Sequence, residues 1–411
     1  MSQVQASTAD MRPLALAVLF LLLTGCAGEE KPAAPSPAER DVRLLAGELQ
    51  AQHPDLFHDL DREEFRGAVE ELADDASELS RDQLVVGLMR LAAMPGERDG
   101  HTAIYPFDMH PQPLHVFPIR LYHLAGGLYA LAAVGADKVV GRRLTSIAGR
   151  PVDEVVELVR PLVPHDNESS LRWLLPEYMT TAEVLRGLGL AGDGPVEYAF
   201  EGGVEAELEA EPAETVAASV GSALAPPPTN GDPTWLRNLE DSQWLTTLEA
   251  GRVVYLGYRI TTDDTYDVAA RLSKLASPAS VRRVIVDVRL NHGGNNRTYG
   301  PLLDVLAGPA ISGKLVLLTG RQTFSAAGNF VADVARATKA RIVGELAGGA
   351  PSQWGDSVPV ELTHAGLTAH VATIYQDYGP ADVEPDVHVE PTAADLLAGR
   401  DPVLARALAL P

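Results

Sequence analysis

Val284-Ile285-Val286-Asp287-Val288 is a nearly unbroken apolar run, and Arg289-Leu290-Asn291-His292-Gly293-Gly294-Asn295 follows it without a gap. A short run of this kind, rich in β-branched residues, reads as a strand covered on both faces. Paired glycines at its end permit backbone angles closed to other residues and let a ligand approach the main chain. Outward from this point, the segment 236–411 alternates between strand and helix. Val253 to Leu256 is expected as a strand, and Val268, Leu272 and Leu275 line a helix. Leu315 to Thr319 is a second apolar strand, Phe330, Val331 and Val334 mark a helix, and Arg341-Ile342-Val343-Gly344 returns to strand. Such alternation predicts a layered α/β core with its site at the strand ends.

The remainder is organised differently. Val42, Leu45 and Leu49 share one helical face, as do Phe65, Val69 and Leu72, while Ser80 and Gln83 form a capping-box pattern ahead of Leu84, Leu88 and Leu91. Residues 41–106 therefore read as a helical domain. The segment 107–211 reads as a β-rich middle domain, in which Gly141 to Val152 resembles a PDZ-type strand and turn. Residues 212–235, with Ala225-Pro226-Pro227-Pro228 and Asn230-Gly231, read as a linker.

At the start, the apolar stretch Leu14 to Leu23 lies between Met11-Arg12 and Leu23-Thr24-Gly25-Cys26. It has the shape of a signal peptide over 1–25 and is too short to span a bilayer. The Leu-Thr-Gly-Cys ending resembles the lipobox of bacterial lipoproteins, which implies lipidation of Cys26 and a proline-rich tether over 26–40. The expected chain is exported and lipid-anchored to the outside of a bacterial membrane. Cys26 is the only cysteine, so a thiol nucleophile or a disulfide is excluded. With 56 acidic against 33 basic residues, the formal charge of -23 repels phosphate backbones and excludes nucleic acid as a partner.

Ser325 lies in Thr323-Phe324-Ser325-Ala326-Ala327-Gly328-Asn329, between an apolar strand and an amphipathic helix. Such a junction exposes a side chain at the sheet edge beside free backbone N–H groups, which can stabilise an oxyanion. It is also where serine commonly serves as a helix N-cap. On these residues alone both readings stand.

Three strings carry a family resemblance: Val284 to Asn295, Thr323 to Ala327, and Val343-Gly344-Glu345-Leu346-Ala347-Gly348-Gly349. In order and spacing they are similar to the motifs of the tail-specific, or C-terminal-processing, peptidases. The resemblance implies a crotonase-like α/β core, Ser325 as nucleophile, and an oxyanion hole at the backbone N–H of Gly294 (or Gly293) and of Ala326. The bacterial processing members use a serine–lysine dyad, but the lysine's place falls here at Ala350. The tricorn-type members use a histidine and a late glutamate. Their positions resemble those of His101, in Asp99-Gly100-His101-Thr102, and Glu384, in Val383-Glu384-Pro385-Asp386. Glu345 is the other acidic candidate for orienting the histidine. The reading implied is a serine-type peptidase working by acyl transfer on peptide or protein substrates of the cell envelope, without a cofactor. Retinoid-binding relatives on the same core supply an alternative, an inactive ligand-binding lipoprotein, and a small-molecule esterase or amidase is a third. Asp382, Glu384, Asp386 and His388 alternate like metal ligands, but Pro385 interrupts the ladder, and a solvated charged strand is the preferred reading.

Overall fold

The parity of the apolar strands sets how the main sheet is covered. The computed structural model describes residues 34–107, 114–262, 265–379 and 382–411; Cys26, the signal segment and the first part of the tether lie outside these residues. Six strands form one sheet in the order Val387–His388, Arg341–Gly344, Leu315–Thr319, Arg283–Asp287, Val253–Tyr258, Gln243–Leu248. All neighbours run parallel except the last pair, which is antiparallel. Alternate side chains point to opposite faces. Val254, Leu256, Val284, Val286, Leu315 and Leu317 meet the helices Thr265–Ala276, Gly300–Ala307 and Ala326–Ala337. Val253, Tyr255, Ile285, Val316 and Leu318 meet the C-terminal helix Pro402–Leu408 through Val403, Leu404 and Ala407. This is the crotonase-like α/β core with a helical N-terminal region.

That region comprises the helices Pro37–Gln52, Arg62–Asp75 and Arg81–Ala93. Ser80 and Gln83 make both bonds of the capping box. These helices share one apolar cluster with the middle of the chain and with the late hairpin Val358–Leu362/Leu367–Val371. Buried Asp41 accepts the backbone N–H groups of His364 and Ala365 at 2.9 and 2.8 Å, tying the first helix to that hairpin. Residues Ser36–Pro411 accordingly form one compact unit.

The middle contains an antiparallel sheet, Arg150–Pro151, Leu144–Ile147, Val196–Phe200 and Val204–Leu208 in that order. It also holds the helix Glu168–Met179, which the sequence reading did not anticipate. The expectation of a linker over 212–235 is corrected. Ala213–Val220 is a helix, Trp235 is buried, and the Ala223 carbonyl accepts both Trp173 Nε1 and Gln322 Nε2. A segment whose backbone groups are claimed by buried donors is part of the body. Among the described residues, no helix is long and apolar enough to cross a membrane.

Candidate active site

The strand Leu315–Thr319 and the helix Ala326–Ala337 are joined by a sharp turn that carries Ser325 at the helix N-cap position. Its side chain makes no capping bond, and its backbone sits at φ 54°, ψ -128°. A non-glycine residue in that region is strained and is held there by its surroundings. The hydroxyl is used elsewhere: Ser325 Oγ lies 3.0 Å from His101 Nε2. With the ring proton on Nδ1, Nε2 accepts the Ser325 O–H, the arrangement of a nucleophile with its base.

His101 stands on the loop after the helix Arg81–Ala93. Phe324 stacks on its ring at 4.7 Å between centroids. Burial lowers the pKa of His101 below the ordinary imidazole value, while Asp99, Asp356 and the Trp354 backbone work in the opposite direction. The ring is therefore neutral near pH 7 and able to take a proton.

Asp166 couples the two loops. Its Oδ1 accepts the Gly100 N–H at 2.7 Å and its Oδ2 the Ala350 N–H at 3.1 Å. Burial pushes Asp166 up to about 8, against these two bonds, which favour its charged form. Gly349 is packed so closely on the Ser325 turn that an added Cβ would sit 2.7 Å from the Ser325 nitrogen. Ala350, where a dyad lysine would stand, is buried in that same loop.

The glycine pair ends the strand Arg283–Asp287 beside this turn. A Cβ on Gly293 would lie 2.6 Å from Ser325 Cβ, and Gly293 and Gly294 adopt φ of 105° and 132°. Of the three expected oxyanion donors, the Gly293 N–H is taken by Asn291 Oδ1 at 2.9 Å. That leaves the N–H groups of Gly294 and Ala326 facing no acceptor among the described residues. His292, immediately before them, stacks on Trp173 at 5.6 Å and 8°, and burial lowers it to about 4.

The acidic candidates lie apart from the pair. Glu384 is exposed and forms no bond to His101. Glu345 is ion-paired with buried Arg321, which also meets Glu390 at 3.0 Å. Asp382 accepts Asn167 Nδ2 at 2.7 Å and Asp386 the Ile342 N–H at 2.8 Å, so the alternating acids serve separate partners. No cluster of three or more metal-ligating side chains occurs among the described residues.

No family model and no curated protein matches the sequence. Solved structures do. Mature CPAF complexed with lactacystin aligns over 88% of this chain and 95% of its own, with a TM-score of 0.59 at 13% identity. Mature CPAF itself aligns over 88% and 94%, with a TM-score of 0.57 at 14% identity. The chain shares the CPAF fold. The likeness takes in nearly the whole of both chains, so it extends from the α/β core to the helical start and the middle sheet.

Proposed function

We propose that this protein is a serine-type peptidase in which Ser325 is the nucleophile and His101 the general base. The observation that carries the reading is the 3.0 Å contact between Ser325 Oγ and His101 Nε2 on a turn whose strain serves no capping bond. His101 takes the Ser325 proton as Oγ attacks a substrate carbonyl. The Gly294 and Ala326 N–H groups hold the oxyanion, a pair of donors of the type worth about 3 kcal/mol each in acyl transfer. His101 then returns the proton to the leaving amine, and water repeats the cycle on the acyl-enzyme. The resemblance of the three motifs to tail-specific peptidases supports peptide or protein as substrate, and Leu23-Thr24-Gly25-Cys26 supports lipid anchoring outside the cytoplasm. Glu384, which the resemblance puts forward as the orienting acid, is exposed. The chemistry above therefore runs through Ser325, His101 and the backbone donors alone.

A fluorophosphonate probe tests the reading. Labelling of the wild type at Ser325, absent in Ser325→Ala, is the expected result. An unlabelled wild type at pH 7 to 8 overturns it.

A further inference from the structure

The start of the helix Glu168–Met179 holds both loops that meet at the Ser325–His101 contact. Asn167 caps this helix, its Oδ1 accepting the Ser169 and Ser170 N–H groups at 2.9 and 3.1 Å. Ser170 Oγ in turn accepts the Asp166 N–H at 3.0 Å, so residues 166–170 form one fixed corner. Toward His101, the Asp166 carbonyl accepts the Arg98 N–H at 3.1 Å, and Oδ1 accepts the Gly100 N–H at 2.7 Å. Toward Ser325, Oδ2 accepts the Ala350 N–H at 3.1 Å, while Asn167 Nδ2 and Ser169 Oγ donate to the Ala347 and Leu346 carbonyls at 3.0 and 2.6 Å. The loop gripped in this way is bound to the serine turn, since the Gly349 N–H donates to the Thr323 carbonyl at 2.8 Å.

One side chain spans the two sides. Asp166 is 2% exposed, and each of its oxygens takes an N–H from a different loop. A carboxylate can do this because both its oxygens accept; an asparagine amide accepts on one side only. Two charges that bear on Asp166, Asp99 and Asp382, are negative like its own. Burying a carboxylate in such company is unfavourable, and a plain turn does not require it. The space is equally specific. A Cβ on Gly100 would lie 2.8 Å from Asp166 Oδ1 and 3.0 Å from Phe324 Cζ, so the peptide before His101 is pinched between Asp166 and the residue before Ser325.

We propose that Asp166 is the positioning residue of the pair: its two oxygens fix the His101 loop against the Ser325 turn and so set the 3.0 Å contact between Nε2 and Oγ. The inference rests on Ser325 and His101 acting as nucleophile and base. Asp166 takes no part in the proton transfer and acts only through Gly100 and Ala350. With one of its bonds lost the loops part, and a misplacement of about 1 Å between reacting groups costs about 100-fold in rate.

The test is saturation kinetics of fluorophosphonate labelling, which separate kinact from KI, in wild type, Asp166→Asn and Asp166→Ser, with thermal melts to verify folding. The ¹⁵N resonance of His101 Nε2 is read alongside, with Ser325→Ala as the reference that lacks the hydroxyl. Asp166→Asn sets an amide N–H against one of the two backbone N–H groups. In the folded variant kinact falls by about 100-fold while KI stays within about threefold, and the Nε2 resonance moves toward its Ser325→Ala position. A stabilising role alone leaves kinact and the resonance of the folded variant at their wild-type values. An unchanged kinact, an unmoved resonance, or a loss carried by KI alone overturns the assignment while the serine–histidine reading stands. If Asp166→Asn does not fold, Asp166→Ser is read in the same way. If neither folds, Asp166 is a stability residue and the assignment is overturned. Absence of Ser325 labelling in wild type overturns both.

Discussion

Phe324 lies flat against His101, with ring centroids 4.7 Å apart and planes inclined by 21°, one residue before Ser325. The same ring meets the edge of Trp173 at 5.8 Å. This wall buries the His101 ring, and that burial is a cause of its lowered pKa. Phe324→Ala opens it. The expected outcome is an imidazole pKa that rises toward 6.5, so the labelling limb moves to higher pH, with about 3 kcal/mol of stability lost from the buried ring. Rate profiles and denaturant melts measure the two effects separately.

For the wild type, labelling should rise with pH along one limb whose midpoint lies below 6.5, because burial lowers the His101 pKa. His101→Ala should abolish that limb along with most of the rate, on the order of 100-fold or more. A midpoint above 7 contradicts a buried histidine base.

Acid stability follows from the same burial. His123 and His292 are both lowered to about 4, in each case first by burial. The unfolded chain takes up protons on these rings near 6.5, and the folded chain resists until about 4. Their contribution is therefore present above 6.5 and is lost as pH falls through that window. Melting temperature should decline between pH 6.5 and 4, and the decline should be shallower in His292→Phe.

Gly294→Ala probes the oxyanion site. The new Cβ would stand 2.2 Å from the Thr261 carbonyl oxygen at a φ of 132°, so the backbone must shift and carry its N–H with it. Loss of one such donor should cost about 100-fold in acylation rate. A labelling rate within threefold of wild type removes Gly294 from the oxyanion hole.

Anchoring is tested at Cys26. Wild type should incorporate a palmitate analogue and partition with membranes, while Cys26→Ser should do neither. Equal incorporation by both proteins rules the anchor out.

The parallel core was legible because its strands are apolar on both faces and its helices are periodic. Val284 to Val288 and Leu315 to Thr319 could hardly be read otherwise. The Ser325 turn was visible as a strand-to-helix junction, but its pairing with His101 came through resemblance, since no local pattern links residues 224 apart. The helix Glu168–Met179 was missed because Pro176 lies inside it, although Asn167 and Ser170 cap it on both sides of the first turn. Asp166 was missed with it. A single aspartate before a helix looks like ordinary turn chemistry, and only the fold shows that it holds Gly100 and Ala350 together. The stretch 212–235 misled for the opposite reason: its prolines and Asn-Gly look like a tether, while its fixation comes from distant donors such as Trp173 and Gln322.

The bond between Asp41 and the His364–Ala365 turn, with the reciprocal pairing of Ala103 and His370, bears on when the Ser325–His101 pair is held in register during synthesis. The loop bearing the base leaves the ribosome well before the serine, and the hairpin that holds the loop's flank leaves later still. A growing or prematurely ended chain thus carries His101 without Ser325, or both without the clasp that registers them. If the pair acts as proposed, hydrolysis waits for the late hairpin, so the order of translation itself times the activity.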